Sequence, residues 1–194
     1  MLIVGDRLRK VFCGTQRERI PDAAFVAMSF FIRIRNALFP AYKRIETFGI
    51  KEGYTVIDYG CGPGVYVRRA SELVGRNGKV YAVDVHKLAI ESVNRIIERY
   101  NLSNVEAVLA RGCSCNLDDH IADVIYALDM FHMVTEPTLF LHELHRLLKR
   151  NGYLIIDYGH QSRESAKAKI KQSRIWDIVE VHRRGLKCVP IPQG

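Results

Sequence analysis

The chain has 194 residues, of which 48% are hydrophobic and 26% charged, and its formal net charge is +8 at pH 7. This length suits one domain with its own core, and the balance of apolar and charged residues excludes a disordered chain. The five cysteines are irregularly spaced, which excludes a typical secreted disulfide scaffold, so we expect reduced thiols and a cytoplasmic location.

The first predicted element is a helix from about Asp22 to Leu38, inside an N-terminal arm (residues 1–49) that we separate from a domain of residues 50–194. Its segment Ala23 to Ile32 is apolar nearly all round, so the helix must be covered, yet it is far shorter than the ~20 residues of a membrane span. We therefore expect no transmembrane segment. The helix could pack on the sheet, form a homodimer surface or cover a lipophilic pocket as a lid. We favour the lid, with contact to a membrane surface as a lesser alternative.

Short apolar runs alternate with amphipathic segments from residue 54 onward. Strands are predicted at 55–59, 79–83, 105–109, 123–128, 152–157, 176–182 and 186–191. Helices are predicted at about 66–74, 87–100, 137–149 and 162–173, the third ending before a turn at Asn151-Gly152. The last two strands are joined by so short a turn that they must pair antiparallel. The order predicts an α/β fold, namely a Rossmann-like, doubly wound, seven-stranded and mostly parallel sheet closed by an antiparallel C-terminal hairpin.

The most informative segment is a glycine-rich loop between the first of these strands and the next helix. Gly60, Gly62 and Gly64 follow one another at alternate positions, and Asp58 precedes the first of them by two residues. Glycines allow a sharp turn and the close approach of a ligand to the backbone. This spacing differs from the dinucleotide fingerprint, and the acid favours a cationic or hydrogen-bond-donating ligand over a pyrophosphate.

A second acid, Asp84, ends the next strand, twenty residues after Gly64. An acid at this position can accept hydrogen bonds from both hydroxyl groups of a ribose. Coupled to the glycine loop, Asp84 therefore predicts a nucleoside site.

These residues, together with Phe131-His132-Met133 and the run from Leu144 to Tyr153, resemble the class I S-adenosylmethionine-dependent methyltransferases. Within that class they are similar to the small generic branch related to the ubiquinone/menaquinone methyltransferases. The resemblance extends from about Ile50 to Ile191 and includes the final antiparallel strand. It implies S-adenosylmethionine as cofactor and S-adenosylhomocysteine as product.

The resemblance also implies a role for each matching position. Asp58 and the backbone of Gly60, Cys61 and Gly62 would hold the methionine end of the cofactor, with Tyr66 beside it. Asp84 would bind the ribose, Val85 would lie against the adenine, and Leu128 would line the methionine side. Relatives usually place an acid where Gly112 or Ser114 stands. In the loop Gly112-Cys113-Ser114 the adenine amino group would instead meet Ser114 or backbone carbonyls.

Two further groups of residues leave alternatives open. Cys113, Cys115 and nearby His120 could bind a metal or metalloid, but they lack the fourth ligand of structural zinc, and we assign no metal site. His132 has an unperturbed pKa suited to a general base, although it could equally cap a helix or pack beneath a loop. Asp129 is the second candidate for catalysis.

The basic residues suggest a possible macromolecular partner. They cluster in the N-terminal arm (Arg7, Arg9, Lys10, Arg17, Arg19, Arg33, Arg35) and near the C-terminus (Lys167, Lys169, Lys171, Arg174, Arg183, Arg184, Lys187). A basic arm can bind phosphates without sequence preference. We therefore predict methyl transfer to a small, apolar or aromatic acceptor, with an RNA methyltransferase as one alternative and a non-catalytic, cofactor-binding scaffold or regulatory subunit as another.

Overall fold

The computed structural model describes residues 20–38 and 41–192. The basic clusters predicted before residue 20 lie outside the described residues. Of the proposed arm, residues 20–38 and 41–49 are described.

The centre of the fold is a seven-stranded sheet with the strand order β3-β2-β1-β4-β5-β7-β6. Its strands are Thr55–Tyr59 (β1), Lys79–Asp84 (β2), Val105–Leu109 (β3), Ala122–Ala127 (β4), Leu148–Asp157 (β5), Trp176–Val181 (β6) and Gly185–Pro190 (β7). The pairings among β1 to β5 are parallel, whereas β7 pairs antiparallel with both β5 and β6. The predicted mostly parallel sheet with a C-terminal hairpin is confirmed.

Helices cover both faces of this sheet. They are Asp22–Leu38 (α1), Val67–Val74 (α2), Lys87–Tyr100 (α3), Pro137–Leu147 (α4) and Arg163–Ser173 (α5), with short 3-10 helices at Ala41–Phe48 and Phe131–Met133. Successive side chains of β1 point to opposite faces, so Val56 packs with α2 and α3 while Ile57 packs with α4 and α5. Two apolar cores therefore enclose the sheet, as a doubly wound fold requires.

One predicted boundary is wrong. The helix expected to reach residue 149 ends at Leu147, and β5 begins at once with Leu148. Asn151 and Gly152 lie inside β5, where the pairing with β4 is irregular, and do not form a turn. A Cβ on Gly152 would lie 2.8 Å from the carbonyl oxygen of Asp123, so this glycine lets two strands approach closely. A helix stop and a strand bulge use the same residue types, which explains the error.

The topology fixes the position of a ligand site. The strand order reverses beside β1, and the carboxyl ends of β1, β2 and β4 meet at one edge of the sheet. Ligands of open α/β sheets bind at such a point.

Within the described residues no single helix has the length and apolar composition to cross a bilayer. Helix α1 and the 3-10 helix after it meet those criteria only when taken together, and the angle between the two helices is 77°.

Candidate active site

The glycine loop turns sharply over the end of β1. Gly60, Gly62 and Gly64 have φ of +80°, +52° and +84°, a region that glycine adopts without steric cost. The amides of Gly60 and Cys61 both donate to the carbonyl oxygen of Val83, which fastens the loop to β2. A Cβ on Gly60 would lie 2.7 Å from Cγ of Met130, whereas a Cβ on Gly62 would meet nothing within 4 Å. Gly62 therefore borders open space in the cleft.

Asp84 lies at the carboxyl end of β2 and lines the cleft. Its Oδ2 accepts from the amide of Gly62 at 2.9 Å, and its Oδ1 accepts from the amide of His86 at 2.8 Å. Burial raises the pKa of Asp84, and the two amide donors partly offset that effect. The carboxylate thus connects the glycine loop to the segment after β2.

Asp58 is a buried carboxylate without a full set of partners. It is 1% exposed, and neither its Oδ2 nor the nearby buried hydroxyl of Tyr126 has a hydrogen-bond partner among the described residues. Burial raises the pKa of Asp58 to about 8, the nearby hydroxyl of Tyr126 partly offsets that rise, and the negative charge of Asp84 adds to it. A buried polar atom without a partner is costly, so this carboxylate suits a cationic ligand group.

The loop after β3 supplies another wall. Gly112, with φ of +63°, lines the cleft between the bridged residues Arg111 and Ser114. Cys113 is buried, and its carbonyl oxygen accepts from the hydroxyl of Tyr59 at 3.0 Å. Ser114 is exposed, and neither it nor Cys113 lines the cleft. Of the three residues predicted to meet adenine, the structure places Gly112 at the cavity.

The cysteines of this loop do not form a metal cluster within the described residues, where no three His, Cys, Asp or Glu side chains converge. Cys115 and Cys61 are free thiols, whereas Cys113 is disulfide-bonded, so the expectation that all the cysteines are reduced is wrong for this residue. The imidazole Nδ1 of His120 lies 2.9 Å from the carbonyl oxygen of Leu148. Glu143 and Arg146 of α4 bind the loop's backbone at Cys115 and so hold it against the fold.

The opposite wall follows β4. Leu128 and Asp129 line the cleft, and Asp129 is exposed with φ of +61°. A left-handed conformation at a residue other than glycine is uncommon and often marks a functional position. The amide of Asp129 donates to Oδ1 of Asp157 at 2.8 Å, while Oδ2 of Asp157 binds the guanidinium of Arg44 at 2.8 Å. This network sets the direction of the Asp129 side chain.

His132 lies behind that wall and is not among the residues that line the cleft. Its ring packs edge-on against His160 with centroids 4.8 Å apart, and a Cβ on Gly159 would lie 2.2 Å from its Nδ1. Burial lowers the pKa of His132, and the neighbouring His160 adds to the effect. The histidine is therefore neutral near pH 7, with its Nδ1 buried and unpartnered among the described residues.

Helix α1 covers the cleft. Phe25, Met28, Ile32 and Arg35 all line it and lie on one side of the helix. Phe25 stacks on the ring of His86 at a centroid distance of 4.2 Å. The Nδ1 of His86 accepts from the amide of Leu88, so Nε2 carries the proton and donates to the carbonyl oxygen of Ile20 at 3.1 Å.

Most of the predicted site residues therefore converge. Those that line the cleft are Gly60, Cys61, Gly62, Tyr66, Asp84, Val85, Gly112, Leu128 and Asp129. Asp58 is buried and is not among the residues that line it. Sequence reasoning did not assign Arg35, His86 or Asp157 to the site. The place of His86 two residues after Asp84 was the available signal, whereas the other two depend on long-range packing.

Comparison with known proteins identifies this arrangement. A family model described as a methyltransferase domain matches residues 50–182, about two thirds of the chain. This chain belongs to that family. It is a methyltransferase domain of the kind that uses S-adenosylmethionine.

Individual relatives agree with the assignment. This methyltransferase is 29% identical to an S-adenosylmethionine-dependent methyltransferase from Aquifex aeolicus, which superimposes with a TM-score of 0.75 over 89% of this chain and all of the other. It is 34% identical to a protein-L-isoaspartate O-methyltransferase of Methanococcoides burtonii, covering 58% of this chain and 52% of that protein. It is 28% identical to the ubiquinone/menaquinone biosynthesis C-methyltransferase UbiE of Escherichia fergusonii, covering 58% and 45%. The methyltransferase spans about half the length of these curated relatives.

The residues present fit the cofactor of this family. The unpartnered Oδ2 of Asp58 suits the ammonium group of S-adenosylmethionine, and the open space beside Gly62 gives its chain access to the backbone. Asp84 and Val85, to which the family resemblance gives the ribose and the adenine, line the same cleft. When bound, S-adenosylmethionine supplies a methyl group on a sulfonium centre, whose positive charge also suits this acidic cleft.

Proposed function

We propose that this methyltransferase transfers the methyl group to a small, apolar or aromatic acceptor held beneath α1. The observation that carries the proposal is the composition of the cleft on the β4 side and under the lid. Its walls there are formed by the side chains of Met28, Ile32, Met130, Met133, Val134 and Phe140. An apolar pocket with a few polar groups suits a small molecule better than a polymer.

Asp129 is the acidic side chain that we propose to face the acceptor. It lines the cleft beside these apolar residues, and Asp157 holds its backbone in place. The nucleophile on the acceptor forms a bond to the methyl carbon as the bond from that carbon to sulfur breaks. Asp129 would take the proton that the acceptor loses. His132 stays a predicted general base, although a role there requires a change in the packing of its Nδ1 against Gly159.

Two substitutions test these roles. We expect Asp129→Asn to lower kcat by about a hundredfold or more, as for loss of a general base, with little change in the affinity for S-adenosylhomocysteine. His132→Gln, which keeps a polar side chain, is measured beside it. If kcat were unchanged in Asp129→Asn, Asp129 would be excluded as the general base. If kcat fell only in His132→Gln, His132 would be the general base instead.

The acceptor class is tested with methyl-labelled S-adenosylmethionine. The methyltransferase is incubated with a panel of phenols, quinols, amines and hydrophobic thiols, and in parallel with total RNA and a protein extract. Label that partitions into organic solvent supports the proposal. Label that appears only in acid-precipitable RNA or protein would refute it.

A second candidate, methylation of RNA, is favoured by a groove on the other side of the glycine loop. Pro63 and Val65 line both the cleft and this groove, whose other walls include Arg68, Arg95 and Arg99. Arg68 lies over the ring of Tyr100 at 4.6 Å. Guanidinium groups bind phosphates, and an aromatic ring can stack on a base.

This alternative predicts salt-dependent RNA binding that weakens when Arg95 and Arg99 are both changed to glutamine. The matched control changes Lys167 and Lys171, on α5, in the same way. Equal binding by both double variants, or no binding at low ionic strength, would count against the groove.

We also propose that the outer face of α1 mediates a homodimer. Val26, Phe30, Phe31, Ile34 and Leu38 all project from that face and are exposed. Light scattering should give the mass of a dimer for the wild-type chain and of a monomer for Phe30→Ser. A monomeric wild-type chain would refute the dimer. We retain the division into an arm of residues 1–49 and a domain of residues 50–194, and a cytoplasmic location, as proposals.

A further inference from the structure

Helix α1 crosses the cleft from one end of the cofactor site to the other. Near its start, Phe25 packs on His86, two residues beyond the predicted ribose ligand Asp84. Near its end, Asn36 borders the groove that Val65 also lines, next to the start of α2. Ten residues separate Phe25 from Arg35, which is a distance of about 15 Å along a helix. Arg35 therefore lies towards the Tyr66 side, where the methionine end is expected.

Arg35 brings a positive charge to a cleft that is otherwise acidic. It is the sole lysine or arginine among the described residues that line the cleft, and Asp84 and Asp129 line the same space. No ion pair or hydrogen bond of its guanidinium group is found in the described part of the chain. On the same side of α1, the buried hydroxyl of Ser29 likewise has no hydrogen-bond partner there. The inner side of α1 thus carries two polar groups, the guanidinium of Arg35 and the hydroxyl of Ser29, for which the described residues supply no hydrogen-bond partner.

The cofactor contains one group that the acids of the cleft cannot bind. Its methionine end carries an ammonium group, which suits Asp58, and a carboxylate, which the carboxylates of Asp58 and Asp84 would repel. A guanidinium group binds a carboxylate through two parallel hydrogen bonds. Arg35 has the charge, the geometry and the position for that contact.

We propose that Arg35 binds the methionine carboxylate of the cofactor. This contact links the lid to the amino-acid portion of S-adenosylmethionine, so that α1 closes more tightly on a cofactor that has this portion than on one that lacks it. The inference extends the cofactor assignment and does not depend on which acceptor is methylated.

Calorimetric titration with three ligands tests the proposal. S-adenosylhomocysteine has both charged groups, decarboxylated S-adenosylhomocysteine keeps only the ammonium group, and 5′-methylthioadenosine has neither. We expect Arg35→Gln to weaken S-adenosylhomocysteine about 10- to 100-fold, as for a lost hydrogen bond to a charged group. It should change the affinity of the other two ligands by less than about twofold. Arg35→Lys should recover part of the loss because the charge remains.

Arg76→Gln is the matched control, because Arg76 is exposed and lines neither the cleft nor the groove. It should bind all three ligands as the wild type does. Equal losses for all three ligands in Arg35→Gln would mean that the residue only supports the lid. No loss for any ligand would also overturn the proposal. If wild-type protein bound none of them, the cofactor assignment itself would fail, which is a different result from either.

Discussion

Asp58 is buried next in the chain to Tyr59, which lines the cleft, and we expect its charge to depend on whether a cation lies beside it. Because burial raises its pKa to about 8, its carboxyl group holds a proton near neutral pH when no cation lies beside it. Binding of the cofactor's ammonium group favours the ionised form, so binding releases a proton. The affinity for S-adenosylhomocysteine should therefore rise with pH, by up to about tenfold per unit between roughly pH 6 and 7.5. Above about pH 8 the carboxyl group of Asp58 is already ionised in the free protein, so the affinity should stop rising.

Titration calorimetry in two buffers of different ionisation enthalpy measures this proton release directly. The variant Asp58→Asn cannot ionise and should bind more weakly, with a nearly flat pH profile. A flat profile in the wild type, or the same profile in both proteins, would contradict this assignment of the carboxylate.

Alanine substitutions at Gly62 and Gly53 can separate the effect of backbone strain on stability from the effect of ligand contact on affinity. Both have positive φ, +52° and +82°, and a Cβ on either would meet nothing within 4 Å. Alanine at either position should cost about 1–2 kcal/mol of unfolding free energy, because a left-handed backbone disfavours a side chain. Gly62→Ala should also weaken S-adenosylhomocysteine at least tenfold, since Gly62 borders the cleft.

Denaturant unfolding and calorimetry give the two quantities for each variant. Gly53→Ala should keep the wild-type affinity. Equal affinities in the two variants would mean that the space beside Gly62 is not used by the cofactor.

At the level of elements, the strands were predicted more accurately than the residues between them. Buried parallel strands give continuous apolar runs that a sequence displays, and β1 and β3 have the bounds expected. The end of α4 was wrong because β5 starts without an intervening loop, a feature that depends on its pairing with β4. Asp58 and Asp84 could be singled out as candidate site residues because they lie near the ends of strands β1 and β2 in sequence. Arg44 and Asp157 could not be singled out in this way, since their ion pair joins positions 113 residues apart.

The lid helix offers a test that uses two phenylalanines on its opposite sides. Phe25 is buried against His86, whereas Phe30 is 61% exposed. Phe25→Ala should remove the stacked contact and loosen the start of α1. Amide hydrogen exchange of residues 22–38 should then accelerate, and S-adenosylhomocysteine should bind several-fold more weakly. Compared at a concentration where wild type and variant are both monomeric, Phe30→Ala should leave both properties unchanged.

If Phe25→Ala and Phe30→Ala gave the same exchange rates and affinities, the helix would not act as a cover for the cofactor. An equal effect on adenosine and on S-adenosylhomocysteine is expected for Phe25→Ala, because Phe25 lies at the ribose side. That pattern differs from the ligand selectivity expected for Arg35→Gln.

At the scale of the whole molecule, the cleft is formed by elements from most of the chain. The cleft takes walls from α1, from the ends of β1, β2 and β4, and from the loop after β3. Ligand binding should therefore stabilise the fold as a unit. At a concentration a hundred times Kd, S-adenosylhomocysteine should add about 2.7 kcal/mol to the unfolding free energy and raise Tm by roughly 5–10 °C. NAD at the same concentration should not.

The ligand-free protein should lose stability as pH rises, and Asp58 gives the sign. In the folded chain its pKa is raised to about 8, whereas an unfolded aspartate titrates near 3.9. The folded state therefore holds a proton that the unfolded state has released, and this contribution to stability disappears as pH rises towards 8. Thermal unfolding from pH 6 to 8 should show Tm falling in the wild type and falling less in Asp58→Asn. Because a fixed concentration of S-adenosylhomocysteine binds more tightly as pH rises towards 7.5, the increase in Tm that it causes should grow over the same range. A Tm that falls equally in both proteins would place the responsible proton on another group.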